Sequence, residues 1–346
     1  MGLSEGKIHH DLLKKITKLS GYKHGSVVQG PVSGFDVGSL DLSTVFTEMG
    51  YESPPLLVYK SDPITFPTVN PGRQLVIVNQ NDLATAGASA YAMTVTIMMP
   101  TGFPESRLLE IQRGLHEAAL EEKIFIIGWH TELISQVKGV VLVGSFIGFV
   151  QEGKYIGGEP EPGDSIIISG WVGAEGTGII LGEGSGVVEE FLDVSMIEDG
   201  SSIGEEISIR ERVLRCNELH HNGIKMVHDV TEGGFRAAIY ECLEPLGLGA
   251  QVYSESLPVA PVTEKLADVL GFDPLYLIGS GAFLLFVDEE YVKGILEELR
   301  GFDQPASIIG RVTGSKDIRL DDEVLSVQKG DALISALEKI KKLGDE

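Results

Sequence analysis

Cysteine is nearly missing from this sequence: 346 residues carry two, Cys216 and Cys242. Two thiols on their own make neither a disulfide framework nor a zinc site, and they read as buried or semi-buried thiols in a reducing compartment. Basic charge is also short, with 27 Lys and Arg against 51 Asp and Glu and a formal charge of −24. Such a field repels nucleic-acid phosphates and anionic membrane surfaces, so neither is an expected partner. The deficit is uneven: residues 1–153 hold 11 basic and 15 acidic groups, residues 154–346 hold 16 and 36. A small phosphorylated ligand is compatible with the near-neutral N-terminal half. Long apolar runs are absent too. Two uncharged, strongly apolar stretches, 139–150 and 275–287, are too short to span a bilayer as a helix. The opening GLSEGKIHHDLLKK is polar and mixed in charge, unlike a signal peptide, and a cytoplasmic protein is expected.

Standard ligand motifs fail as well. GFVQEGK, residues 148–154, fits G-x-x-x-x-G-K, but Tyr155 stands where Ser or Thr would hold magnesium. GWVGAEGTG contains no G-x-G-x-x-G, and there is no H-E-x-x-H. His220-His221 lacks partners at metal spacing.

What is present points to two domains, the natural reading of a soluble chain of this length. A Gly-, Pro- and Glu-rich stretch, GKYIGGEPEPGD at 153–164, reads as the linker and sets the expected domains at 1–153 and 154–346. On either side, helical periodicities alternate with strand-like apolar runs. The segments 8–20, 104–123, 205–221 and 232–244 read as helices, and 91–99, 124–128 and 282–287 as strands. The fold class is α/β (α+β).

Polar clusters sit at the ends of these apolar runs. Asp62 follows Leu56-Leu57-Val58-Tyr59, and Asn81-Asp82 follows Leu75-Val76-Ile77-Val78. Buried carboxylates need a cation or hydrogen-bond donors, and a converging pair suits a divalent metal carried by phosphate. The plainer reading has Asp62 capping a turn before Pro63 and Asn81-Asp82 capping a helix. A second cluster, Asp229-Val230-Thr231-Glu232-Gly233-Gly234, opens a helix. It would offer backbone N–H groups and a hydroxyl to an anion, or serve as an ordinary capping box. Gly34-Phe35-Asp36 and Trp129-His130-Thr131-Glu132 complete the set.

In order and spacing these clusters resemble the AIR (aminoimidazole ribonucleotide) synthase family, over essentially the whole chain. The similar pieces are SDPITF (61–66), GRQLVIVNQNDLATAGA (72–88), GWHTE (128–132), GDSIIISGWVGAEGTGIIL (163–181), MVHDVTEGGFRAAIYE (226–241) and DPLYLIGSGAFLLFV (273–287). Within the superfamily the chain is most similar to the hydrogenase-maturation carbamoyl-dehydratase branch. The resemblance implies a two-domain fold whose N-terminal domains pair as a homodimer, with ATP as cofactor and Mg²⁺ at its phosphates. Carried over by position, Asp36, Asp62 and Asp82 are the implied metal ligands. Asn81, Thr131, Thr231, Gly233 and Gly234 join them around the nucleotide, and His130 and Asp229 are the implied catalytic groups.

Three departures bear on activity. Phe35 stands where the family's first loop acid is expected, and His130 where many relatives have Asp, which implies a site with fewer carboxylates. The tail KIKKLGDE carries no cysteine, whereas the dehydratase needs one there, so an activity other than that dehydratase is expected. The expected function is ATP- and Mg²⁺-dependent activation of an amide or carbonyl oxygen on an unknown small-molecule or protein-borne substrate. The alternatives are a nucleotide-binding accessory or assembly protein with little turnover and, further off, AIR synthase itself.

Overall fold

The computed structural model describes residues 6–7, 10–31, 38–326 and 330–345. Phe35 and Asp36 lie outside the described residues. The chain divides into two compact units, Met1–Tyr155 and Ile156–Glu346.

The N-terminal unit is built on a five-stranded sheet in the spatial order Gly6–Lys7, Phe125–Leu133, Ser89–Met99, Val141–Val150, Leu56–Ile64. Two helices, Pro71–Thr85 and Glu105–Glu121, pack together over one face. Alternation along the strands supplies that face with Met93, Val95, Ile97, Leu142 and Phe146, all buried. The other face carries the short helix Leu42–Glu48 against Tyr91 and Phe149. Toward the Leu56–Ile64 edge it leaves Leu57 and Tyr59 exposed, at 60% and 64%.

Two local expectations are corrected here. The run Leu75-Val76-Ile77-Val78 lies inside the helix that starts at Pro71, with Asn70 as its N-cap. Asn81 and Asp82 are therefore in its last turns and cap nothing. This helix is buried nearly all round, so it shows no amphipathic stripe and by pattern cannot be told from a buried strand. Asp62 and Pro63 belong to the strand Leu56–Ile64 and form no turn after it. Proline is tolerated there because, among the described residues, the strand pairs only with Val141–Val150 and its other side is an edge.

The C-terminal unit holds a seven-stranded sheet, in the order Glu323–Val324, Ile318–Leu320, Gly249–Val252, Ala306–Thr313, Ser165–Ser169, Phe283–Val287, Ile224–Asp229. Ser165–Ser169 and Phe283–Val287 are buried at every residue, which is why they read as unbroken apolar runs. Helix Gly234–Leu243 covers one face through Phe235, Ala238 and Ile239. Helices Ala174–Glu183, Val194–Glu205, Pro261–Leu270 and Ala332–Gly344 pack among themselves. No helix among the described residues is long and apolar enough to cross a membrane.

Candidate active site

In the N-terminal unit the Leu56–Ile64 strand sends Lys60 and Asp62, two residues apart, to the helix-covered face. Asp82 meets them from the end of helix Pro71–Thr85. The Lys60 Nζ atom lies 3.1 Å from Asp82 Oδ2 and 4.0 Å from Asp62 Oδ1. Two carboxylates thus converge on one cation position, and Lys60 holds it. Burial pushes the Asp62 carboxyl above its ordinary pKa, and the Lys60 charge partly offsets that. Asp82, in a last helical turn, faces the negative end of the helix dipole, a further reason for a cation beside it. Asn79 fixes the helix against the strand, its Nδ2 donating to the carbonyls of Leu75 (2.9 Å) and Asp62 (3.4 Å). Asn81 is buried beside Asp82.

Lys60 is the residue that the sequence reading missed. Its position two before Asp62 in a strand was the available signal, since that spacing shares a face.

His130 and Thr131 are not brought to this pair. The register matches Asp62 with Gly144, Gly144 with Val95 and Val95 with Trp129. It matches Pro63 with Val143, then Thr96, then His130. Cross-strand partners share a face, so His130 lies on the opposite side of the sheet from Asp62. It is exposed there, with Nε2 3.4 Å from Glu132 Oε2. Thr131 shares the Asp62 face, but its strand is three strand spacings away, about 14 Å. Its buried hydroxyl has no hydrogen-bond partner among the described residues.

A divalent ion fits the donor set by type. Hard carboxylate oxygens suit Mg²⁺, which takes one or two carboxylates and completes its shell with water and phosphate. The Lys60 ammonium, a cation already seated between both carboxylates, marks the position. Among the described residues no three His, Cys, Asp or Glu side chains are grouped to hold a metal. Asp36, the third implied ligand, lies outside them.

In the C-terminal unit Asp229 ends the strand Ile224–Asp229, and Thr231, Gly233 and Gly234 form the turn into helix Gly234–Leu243. Both glycines have positive φ, +82° and +64°. A Cβ on Gly234 would meet the carbonyl oxygens of Leu275 and Leu277 at 2.6 and 2.7 Å, so only glycine fits. The expected free donors are engaged internally. Gly233 N–H donates to Asp331 Oδ2 at 2.7 Å, and Gly234 N–H donates to the Thr231 carbonyl at 3.0 Å. Asp331 also accepts from Ile278 N–H (3.2 Å) and Leu333 N–H (2.8 Å), the latter as N-cap of helix Ala332–Gly344. The anion at this glycine turn is the chain's own. Its second task, 98 residues from Gly233, has no local signal in the sequence.

Glu175, in the first turn of helix Ala174–Glu183, is 6% exposed. Burial, with the charges of Asp331 and Asp229 adding to it and hydrogen bonds to Ser280 opposing it, pushes its carboxyl up to about 7. Burial likewise raises Asp331, against its three backbone donors. A carboxyl that titrates near neutrality beside Asp229 is the kind of group that holds or yields a proton at working pH. Both thiols are inert by contrast. Cys216 and Cys242 are buried, and burial pushes Cys216 up to about 12 and Cys242 further in the same direction.

Comparison with known proteins gives a consistent result. The family model described as AIR synthase related protein, N-terminal domain, matches residues 56–150, and that of the C-terminal domain matches residues 161–323. A putative hydrogenase expression/formation protein of Methanocaldococcus jannaschii is 30% identical over 318 residues, covering 86% of this chain and 91% of its own. The carbamoyl dehydratase HypE of Bradyrhizobium diazoefficiens is 26% identical over 245 residues, 70% of this chain and 68% of its own. Among solved structures, E. coli HypE, a hydrogenase maturation protein, superposes with a TM-score of 0.75 at 19% identity, over 94% of this chain and 98% of that one. The hydrogenase maturation protein HypE in complex with ATP gives 0.70 at 22%, over 87% and 90%. These two structures speak to the fold, which is the two-domain α/β arrangement expected from the sequence.

Proposed function

Because this chain belongs to the AIR synthase related proteins, we propose that it is an ATP-dependent enzyme that phosphorylates an amide or carbonyl oxygen and so turns it into a leaving group. The observation that carries this reading is the convergence of Asp62 and Asp82 on one cation position. Magnesium bound there would neutralise charge on the nucleotide phosphates. Asp62 and Asp82 would hold it, Lys60 would neutralise phosphate oxygens directly, and Asn79 keeps the helix carrying Asp82 in register with the strand carrying Asp62. Phosphoryl transfer asks for positioning and charge screening more than for covalent chemistry, which suits a site of this composition. Relatives named carbamoyl dehydratase, and a related structure holding ATP, support the same reading.

Neither Cys216 nor Cys242 is suited to carry a substrate, since both are buried and held as thiols. The oxygen to be activated belongs to a small molecule or to a protein-borne group other than these two thiols. His130 is left out of the nucleotide site of its own protomer by the sheet register. The unit also pairs as a homodimer through the sheet surface that exposes Leu57 and Tyr59. The strands Ser89–Met99 and Val141–Val150 are flanked on both sides and can add only a face.

A second reading, a nucleotide-binding accessory or assembly protein with little turnover, is favoured by one observation. The N–H groups of Gly233 and Gly234 are satisfied within the chain and so are not free for a phosphate.

Asp82→Asn tests the site. It keeps the shape and removes one charge, so affinity for a non-hydrolysable ATP analogue in Mg²⁺ is expected to fall about tenfold or more, roughly 1.4 kcal/mol. The apo melt should move little, since a partly exposed ion pair contributes about 1 kcal/mol and losing one of two converging carboxylates relieves their repulsion. Unchanged nucleotide affinity would remove Asp82 from the site. Sustained ADP release with amide substrates separates the enzyme from the accessory protein.

A further inference from the structure

Lys60, Asp62 and Asp82 together carry one positive and two negative charges, all at one position. Lys60 and Asp62 are each 36% exposed and Asp82 18%, so the ammonium is tethered by a flexible stem at the site's margin and is not locked in the core. A divalent ion coordinated by both carboxylates must stand where Lys60 Nζ now stands, or within a few ångströms of it, and two cations that close repel strongly. Nucleotide phosphates change this balance, because their oxygens give the lysine another anion to pair with.

We propose that Lys60 is an internal counter-ion that holds the Asp62–Asp82 position in the free protein, so that a divalent ion enters only together with the nucleotide. This rests on the nucleotide-site reading above and adds an order of loading to it. Binding of metal-free protein by Mg²⁺ is suppressed, and a stray divalent ion does not preload the site. The ammonium is the first cation the incoming phosphates meet, and its transfer from carboxylate to phosphate vacates the ligands that the metal then uses.

Mn²⁺ is the probe, counted by electron paramagnetic resonance of the free ion, with and without a non-hydrolysable ATP analogue. Wild type, Lys60→Arg, Lys60→Met, Lys60→Gln and the double variant Lys60→Met/Asp82→Asn are compared, and thermal melts confirm folding. Without nucleotide, Lys60→Met and Lys60→Gln are expected to bind Mn²⁺ about tenfold tighter than wild type, a Coulomb effect discounted for exposure. Lys60→Arg should stay as weak as wild type, and the double variant should lose the gain. Wild type should take up Mn²⁺ when the nucleotide is added, beyond what the same nucleotide binds without protein. If Lys60→Met and Lys60→Gln match wild type without nucleotide, while wild type still takes up Mn²⁺ with it, the counter-ion inference is wrong and the metal site stands. If no protein binds Mn²⁺ under either condition, both fall.

Discussion

Glu175→Gln offers a test in which size and sign both follow from the structure. Glu175 is buried in the C-terminal unit with Asp331 and Asp229 nearby, and its folded-state pKa is about 7 against an ordinary 4.5. A raised carboxyl pKa means that the folded protein binds this proton more tightly than the unfolded chain does. Its stabilising contribution is therefore complete below pH 4.5 and is lost progressively as pH rises to 7, above which the curve is flat. The width of that window corresponds to a loss on the order of 3 kcal/mol by pH 8. Gln keeps the shape and an acceptor for Ser280 but has no charge to desolvate. The variant should match wild type near pH 4.5 and exceed it at pH 8 by about 2–3 kcal/mol, a few tenths going to imperfect hydrogen bonding. For a unit of this size that corresponds to roughly 5–10 °C in melting temperature. The assay is urea unfolding at half-unit steps between pH 4.5 and 8.5, in constant salt, on both proteins. Parallel curves, or a variant less stable than wild type at pH 8, would show that Glu175 is not the titrating group and would refute the reasoning.

Two further expectations can be checked directly. Light scattering at micromolar concentration should return twice the chain mass, and Tyr59→Lys should shift it toward monomer; a monomeric wild type would overturn the pairing. Arg212 is buried, donating to Ser169 Oγ (2.9 Å) and to the carbonyls of Gly281 (2.6 Å) and Ser208 (3.1 Å). Arg212→Met leaves those acceptors dry and should cost about 3 kcal/mol in urea unfolding, against a change near zero if the guanidinium were merely a surface charge.

What the sequence determined by itself was the kind of protein and most of its elements. Alternating helical and strand-like periods, with a Pro/Gly/Glu linker between them, gave the α/β character, because those periods follow from backbone geometry alone. Family-like spacing of the polar clusters identified Asp62, Asp82 and the Asp229 loop as positions worth watching. Paired glycines at 233 and 234 marked the start of a helix; that both adopt positive φ, and that their N–H groups are taken up within the chain, came from the structure. The tertiary structure decided everything that depends on which side of an element a residue faces and on what comes to meet it. Helix Pro71–Thr85 was illegible as a helix because tertiary packing covers it on nearly every side. His130 was grouped with Asp62 by sequence, but sheet register, which local pattern does not encode, puts the two on opposite faces. Lys60 joins Asp82 across 22 positions, and Asp331 joins Gly233 across 98. Each buried or half-buried charge needs a partner, a need visible in the sequence. Which partner meets it is fixed only when strand, helix and loop close in space.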